Sequence, residues 1–268
     1  MVALPCQFSS LSSGPEARLR LASRLSRHPS PRSAARASAG EVLREVLTTS
    51  QRSKLDFSDD RRFYDVPRLC THVDDAFISQ VTELYRQRIP AGASVLDLGA
   101  SHLSHLPEDV EYAVVGHGMN AQELSRNRRL SSFFVRNLNE APRGWALADC
   151  SLDAVVCCVS VQYFQRPEEV FAEFWRVLKP GGIAIFTFSN RMFSTKAIAT
   201  WRDGTGYSRA QLVKSYFGCV AGFTQPEVLT EVSTRPDDSV LGKLKRLFAR
   251  SSSDPFYAVI AYRNFKPV

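Results

Sequence analysis

The chain has 268 residues, of which 44% are hydrophobic and 23% charged, a composition that predicts a folded globular protein. No apolar run reaches the roughly 18 residues of a membrane-spanning helix, so none is predicted. The net charge of +7 resides mostly in residues 1–40, which carry +5, and the remaining +2 gives no electrostatic basis for binding nucleic acid.

Residues 1–40 combine nine serines and six arginines with a single acid, the composition of an organelle transit peptide. The serine and alanine content favours a chloroplast, with a mitochondrion as the alternative. A plain disordered tail has a similar composition and stays open. We expect cleavage between Arg36 and Gly40.

Residues 41–90 are predicted to form an N-terminal helical segment that packs on the core. Gly40 to Thr49 has the apolar spacing of a short amphipathic helix. Residues 50–73 read as irregular, with Phe63 and Tyr64 as anchors. A helix is predicted from Asp75 until Pro90 and Gly92 end it.

Residues 91–268 are predicted to form the main domain, because short apolar runs alternate with helical patterns there. The strands are predicted at 94–98, 112–116, 133–136, 154–161, 183–188, 227–233 and 256–262, with helices at 167–178 and 208–217. Lys179 to Gly182 reads as a turn. The alternation predicts an α/β fold with an open, mostly parallel sheet covered by helices on both faces.

Ligands of such sheets bind beyond the carboxyl ends of the strands. The first strand ends at Asp97, followed by Gly99 and other small residues that allow a close approach of the backbone. Asp97 could order that loop or receive a cationic ligand group.

The six cysteines contain no C-x-x-C pair, which argues against a zinc or dithiol site. Cys157 and Cys158 lie in an apolar strand pattern and are interpreted as core residues. One basic patch, Lys243, Lys245, Arg246 and Arg250, is either a solvated face or a partner site.

Three segments resemble the small-molecule methyltransferase domain that uses S-adenosyl-L-methionine (SAM). They are Leu152-Asp153-Ala154-Val155-Val156, the helix at 170–178 and the run Leu178-Lys179-Pro180-Gly181-Gly182 before the strand at 183–188. The resemblance implies a Rossmann-like three-layer sandwich with seven strands, the last antiparallel. The chain also shows a narrower resemblance, to a plant, algal and cyanobacterial group. The motifs that carry it are Phe63-Tyr64-Asp65, Pro67-Arg68, Thr71 to Asp75, Ser104-His105, Gly116 to Asn120 with Glu123-Leu124, and Ser189-Asn190-Arg191.

The resemblance also implies roles for residues that follow the first four strands. Asp97, Gly99 and Ser101 would line the methionine part of SAM, and Asn120 stands where the family has an acid for the ribose. The adenine would contact Asn137 and Leu138, and Ser160 would line the cofactor beside the methyl group.

The first loop, however, departs from the family pattern. It keeps one glycine of the usual G-x-G-x-G, and the dozen residues before the second strand leave no room for an ordinary helix. Asn120 lacks the charge of the usual acid and, with Glu123, also fits a helix capping box.

Methyl transfer needs mainly positioning, so no catalytic residue stands out. The weak candidates are His105, Tyr163, Asn190 and Arg191, although Tyr163 fits a core position and Arg191 a structural ion pair. His72, His102, His105 and His117 match no established zinc spacing, and no metal is predicted.

Two hypotheses therefore remain. The first is a SAM-dependent methyltransferase acting on a small-molecule or lipid-like acceptor. The second is a methyltransferase-like protein that has lost catalysis and serves as a binding or regulatory module. A nicotinamide dehydrogenase is disfavoured, since G-x-G-x-x-G and its following acid are absent. The oligomeric state is not predicted.

Overall fold

A computed structural model of the protein describes residues 40–233 and 253–268. The strands are β1 (Ser94–Leu98), β2 (Ala113–Gly118), β3 (Ser132–Val135), β4 (Leu152–Cys158), β5 (Leu178–Phe188), β6 (Glu227–Leu229) and β7 (Tyr257–Tyr262). The helices are α1 (Asp60–Tyr64), α2 (Asp75–Arg88), α3 (Ala121–Arg126), α4 (Pro167–Val177), α5 (Ala199–Arg202) and α6 (Gly206–Gly218), with a 3₁₀ turn at Val161–Tyr163.

The seven strands form one sheet in the order β3-β2-β1-β4-β5-β7-β6. Every neighbouring pair is parallel except those of β7, which runs antiparallel to both β5 and β6. This confirms the predicted α/β fold with six parallel strands and an antiparallel last strand. The strand order reverses between β1 and β4, and their carboxyl ends therefore border a crevice.

Helices cover both faces of the sheet, as the continuous apolar run of β5 predicts. Alternate residues of β5 enter two separate cores: Ala184, Phe186 and Phe188 pack with α4 and α6, whereas Ile183 and Ile185 pack with α2. The helix predicted from Asp75 is α2, whose N-terminus is capped by the Asp74 side chain.

The helix predicted over Gly40–Thr49 is wrong. This stretch lies extended against the end of α6, with Leu43 N donating to Cys219 O at 2.7 Å and Ala221 N donating to Glu41 O at 3.0 Å. Val46 N and Leu47 N then donate to the Glu168 carboxylate. These partners satisfy the backbone, so the amphipathic spacing does not need a helix.

Several predicted boundaries also need correction. β4 ends at Cys158 rather than Val161, because Val159 has a φ of 43° and Ser160 is the N-cap of the 3₁₀ turn. The predicted turn at Lys179–Gly182 lies within β5. α6 begins at Gly206 rather than at residue 208; Thr205 caps it, and Ser208 completes the capping box. β6 ends at Leu229, before the predicted boundary.

Two predictions fall outside the described residues. They are the transit peptide predicted over residues 1–40, of which only Gly40 is described, and the basic patch at Lys243, Lys245, Arg246 and Arg250. Within residues 40–233 and 253–268, no helix is long and apolar enough to cross a membrane. The cysteines described there are free thiols, and Cys157 is buried in the core as predicted.

Candidate functional site

A cavity of about 290 Å³ opens at the carboxyl ends of β1, β2, β3 and β4. Small-molecule sites usually have volumes of roughly 300 Å³ or more, so this cavity lies at the lower end of their range. Its lining includes all seven residues predicted to bind the cofactor: Asp97, Gly99, Ser101, Asn120, Asn137, Leu138 and Ser160. A second cavity, of about 670 Å³, shares Asn120 and Asn137 with the first.

The bend after β1 brings the backbone of Gly99 against Ser160. Gly99 has a φ of 71°, and a Cβ added there would lie 2.4 Å from Ser160 Oγ. Ser160 Oγ in turn donates to Gly99 O at 3.2 Å. Only glycine fits this position, because any side chain would meet both an unfavourable backbone conformation and the tip of β4.

Asp97 places a buried carboxylate in the wall of the cavity. Its Oδ2 accepts a hydrogen bond from Ser104 Oγ. Burial raises the pKa of Asp97 to about 6, although the Ser104 hydrogen bond works in the opposite direction. The free energy cost of this buried charge would fall if a cation paired with it.

Hydrogen bonds hold the loop after β1 in place of the missing helix. Asn127 Nδ2 donates to Ser101 O and to Ser104 Oγ, both at 3.0 Å. Ser101 Oγ donates to Glu123 Oε2 at 2.7 Å, and the other Glu123 oxygen accepts from Arg68 N at 2.6 Å. No helix occurs between β1 and β2, as the short spacing predicts.

Asn120 caps α3, so the structural role considered for it is present. Its Oδ1 accepts from Gln122 N and Glu123 N, and its Nδ2 donates to Tyr64 O and Asp65 O. The Glu123 side chain turns to Ser101 instead of back to Asn120. Asn120 therefore also holds residues 64–65 at the rim of the cavity through these two hydrogen bonds.

The residues after β3 and β4 complete the lining of the cavity on this side. Leu138 is buried and Asn137 nearly so. Asn137 Nδ2 donates to Glu140 Oε1, and Asn137 Oδ1 accepts from Asn139 N, both at 3.0 Å. These bonds fix a compact turn, and the apolar Leu138 of this turn lines the cavity.

Residues 54–72 cover part of the cavity and are anchored by a buried charge cluster. Asp60 Oδ2 accepts from Lys54 Nζ at 2.6 Å, and Asp60 Oδ1 lies 3.2 Å from Lys196 Nζ. Burial favours a higher pKa of Asp60, but Lys54, Asn139 and Lys196 together lower it. The cluster ties this cover segment to Lys196, which follows β5, and to Asn139, which follows β3.

Four histidines line the cavity without forming a metal site. Burial lowers the pKa of His105 and of His117 to about 4, and it also lowers the pKa of His72. His102 contacts Ser101 Oγ through Nδ1 at 3.3 Å. Among the described residues, no three His, Cys, Asp or Glu side chains are grouped as metal ligands would be.

The four catalytic candidates fall in different surroundings. His105, Tyr163 and Arg191 line the cavity, whereas Asn190 is exposed and does not. Tyr163 Oη accepts from Phe193 N at 2.9 Å, and the two rings stack at 6.0 Å. Arg191 Nε donates to Asp254 Oδ1 at 2.7 Å, an ion pair that leaves its side chain 64% exposed.

Sequence reasoning missed several lining residues that arrive from distant segments. Asp60, Tyr64 and His72 belong to the cover segment, and Met192 and Phe193 follow β5. Tyr64 and His72 occur in the motifs of the narrower resemblance, so a signal for them existed. Residues 192–193 carry no recognisable motif.

Comparison with known proteins gives one family match. Residues 96–186 match a family described as "Methyltransferase domain". A search of the curated proteins finds no significant match. The matching segment runs from the middle of β1 through most of β5, and it therefore includes the carboxyl ends of the strands β1 to β4 that border the cavity.

Solved structures with similar folds include three SAM-related proteins. A SAM-dependent methyltransferase from Archaeoglobus fulgidus has a TM-score of 0.47 at 14% identity, covering 69% of this chain and 93% of that one. One from Mesorhizobium loti has 0.44 at 17%, covering 68% and 96%. Haemonchus contortus phosphoethanolamine N-methyltransferase 2, solved with SAM, has 0.45 at 15%, covering 69% and 52%.

The family match and the sheet topology agree with each other. The strand order, with its single antiparallel strand, is that of the Rossmann-like methyltransferase fold. Residues 96–186 of this chain are thus similar to a methyltransferase domain, and the match lies within this sheet.

Proposed function

We propose that this protein binds SAM in the cavity at the carboxyl ends of β1 to β4 and transfers its methyl group to a small acceptor. The observation that carries the proposal is open space between Asp97, Gly99 and Asn120 at the point where the strand order reverses. A methyltransferase-domain match over the same strands supports it.

The lining residues fit SAM chemically. The buried Asp97 carboxylate complements an ammonium group, and the Gly99 bend admits a ligand close to the backbone. Leu138 offers an apolar surface to a flat base. SAM would supply an activated methyl group, while the chain positions the acceptor and excludes water.

We assign the ribose contact to Glu123 rather than to Asn120. All four hydrogen-bonding positions of the Asn120 side chain are used by α3 and by residues 64–65. Glu123 is nearly buried and lines the cavity, and each of its oxygens retains a second lone pair. A ribose hydroxyl could donate to it.

Thermal unfolding of the full chain with added ligands tests the proposal. We expect SAM and S-adenosylhomocysteine at 100 times their Kd to stabilise the fold by about 2.7 kcal/mol, and NAD to have no effect. Stabilisation by NAD alone, or by none of the three at millimolar concentration, would contradict SAM binding.

The second candidate function, a binding module without catalysis, is favoured by one observation. The loop that should receive the cofactor already forms hydrogen bonds within the protein: Ser101 bonds to Glu123 and Asn127, and Ser104 bonds to Asn127. If SAM stabilises the chain but no acceptor is methylated, this candidate is preferred.

We further propose a chloroplast as the site of action, with a mitochondrion as the alternative, on the composition of residues 1–40. The narrower resemblance to a plant, algal and cyanobacterial group supports the same choice. A fluorescent fusion of the full chain should enter plastids, and a fusion that begins at residue 41 should stay outside. Equal distribution of the two would contradict the proposal.

A further inference from the structure

The hydroxyl of Tyr85 is a buried polar group in the wall of the cavity. Tyr85 lies near the end of α2 and lines the cavity, although only 1% of the residue is exposed. Among the residues that the structure describes, Tyr85 Oη has no hydrogen-bonding partner. Such a group destabilises a folded protein, so its presence beside a cavity indicates a contact with a ligand.

Two further polar residues of this wall act on the hydroxyl. Burial raises the pKa of Tyr85 well above its ordinary value, and Cys158 and the charge of Asp97 raise it further. Both residues also line the cavity. At neutral pH the hydroxyl therefore keeps its proton, and it lies within electrostatic range of the Asp97 carboxylate.

Thr187, on β5, is a competing partner within the protein. It works against the other groups by lowering the pKa of Tyr85. Thr187 is fully buried and paired in register with Cys158, but it does not line the cavity. Its Oγ1 likewise forms no hydrogen bond in the described part of the chain, so the geometry does not join the two hydroxyls.

The amino-acid tail of SAM carries an ammonium and a carboxylate on one carbon atom. In the proposed function, on which this inference rests, Asp97 complements the ammonium. The carboxylate then lies close to a second negative charge and needs a hydrogen-bond donor, because a buried charge without one is costly. A neutral hydroxyl near Asp97 meets this need without a cation in the wall.

Other hydroxyls on this side of the cavity are not free to donate. The serine hydroxyls already donate to groups of the protein: Ser101 to Glu123, Ser104 to Asp97, and Ser160 to Gly99 O. Of the tyrosine and serine hydroxyls beside Asp97 in the described residues, that of Tyr85 is the one without an acceptor.

We propose that the Tyr85 hydroxyl donates a hydrogen bond to the carboxylate of the SAM amino-acid tail and, with Asp97, selects a cofactor that carries the complete tail. Tyr85 is then a binding residue and takes no part in the bond changes at the methyl group. Holding both charged groups of the tail restricts the rotation of the cofactor before methyl transfer.

SAM and decarboxylated SAM, which lacks only the carboxylate, test this contact by calorimetry on the full chain. Tyr85→Phe should weaken the binding of SAM about tenfold, because a hydrogen bond to a charged group is lost. The same variant should change the binding of decarboxylated SAM by no more than about twofold. Asp97→Asn should weaken both ligands, since both carry the ammonium.

Two conservative variants separate a ligand contact from a structural role. Tyr216→Phe is the matched control, because the Tyr216 hydroxyl is also buried without a partner among the described residues but lines neither of the two cavities. It should bind both ligands as the unmodified protein does. Thr187→Val removes the competing hydroxyl and should likewise leave SAM binding unchanged. Tyr85→Phe should not lower the melting temperature of the ligand-free chain, since its hydroxyl has no partner to lose.

Each contrary result bears on one of the two proposals. If SAM does not bind the unmodified protein, the proposed function is contradicted. If SAM binds but Tyr85→Phe weakens both ligands equally, or has no larger effect than Tyr216→Phe, the assignment of Tyr85 to the carboxylate is wrong. Equal losses of melting temperature in Tyr85→Phe and Thr187→Val would indicate an internal pair of hydroxyls instead.

Discussion

Replacing Gly99 by alanine should abolish SAM binding and lower the free energy of unfolding by about 2–4 kcal/mol. Roughly 1–2 kcal/mol comes from a left-handed backbone conformation for a residue with a Cβ. The remainder comes from overpacking, since the new Cβ would lie 2.4 Å from Ser160 Oγ and 2.5 Å from Ser160 Cβ. Denaturant unfolding and calorimetry with SAM measure the two effects.

Gly92→Ala and a double variant divide these contributions. Gly92 has a φ of 78°, but a Cβ there meets nothing within 4 Å, so its substitution should cost the backbone strain alone and leave SAM affinity unchanged. In Gly99→Ala with Ser160→Gly, both clashing atoms are removed, and part of the stability should return. Unchanged SAM affinity in Gly99→Ala would contradict the placement of the cofactor at this bend.

Asp97→Asn should act in opposite directions on stability and on binding. The pKa of Asp97 is raised to about 6 from 3.8, because burial penalises the ionised form. This shift corresponds to about 3 kcal/mol at neutral pH, and the neutral asparagine avoids that cost. We expect the variant to unfold at a higher temperature at pH 8 but to bind SAM at least tenfold more weakly, since the ammonium loses its counter-ion.

The pH dependence gives a second check on Asp97. A carboxyl with a raised pKa in the folded state binds more protons folded than unfolded between about pH 4 and pH 6. Its stabilising contribution is therefore complete below pH 4 and is lost as the pH rises through 6. In Asp97→Asn this loss should be missing, and a pH profile identical to that of the unmodified protein would refute the assignment.

The sequence predicted the sheet well where residues are buried on both faces. β1 and β7 contain short apolar runs that are typical of strands covered on both faces. α4 has one strongly apolar side and a proline in its first turn. Local patterns failed where distant backbone groups decide the outcome. Residues 41–43 pair with residues 219–221, and no periodicity within residues 40–49 indicates that contact.

The site was predictable in its floor but not in its cover. Asp97, Gly99 and Ser160 end strands, and the topology brings strand ends together. The Asn120 cap follows from its spacing to Glu123, but the bonds from Asn120 to Tyr64 O and Asp65 O join residues more than 50 positions apart. The positive φ of Val159 is equally hidden, because β-branched residues rarely adopt it.

His117 joins the tips of three adjacent strands through a single imidazole ring. Its Nδ1 accepts from Gly99 N at 3.3 Å, and its Nε2 donates to Arg136 O at 2.9 Å. With a pKa of about 4, the ring keeps one neutral tautomer throughout the physiological range. The cavity wall at the tips of these three strands is consequently rigid before a ligand binds. Binding should therefore cost the protein little conformational entropy, and the entropy cost should come chiefly from the ligand.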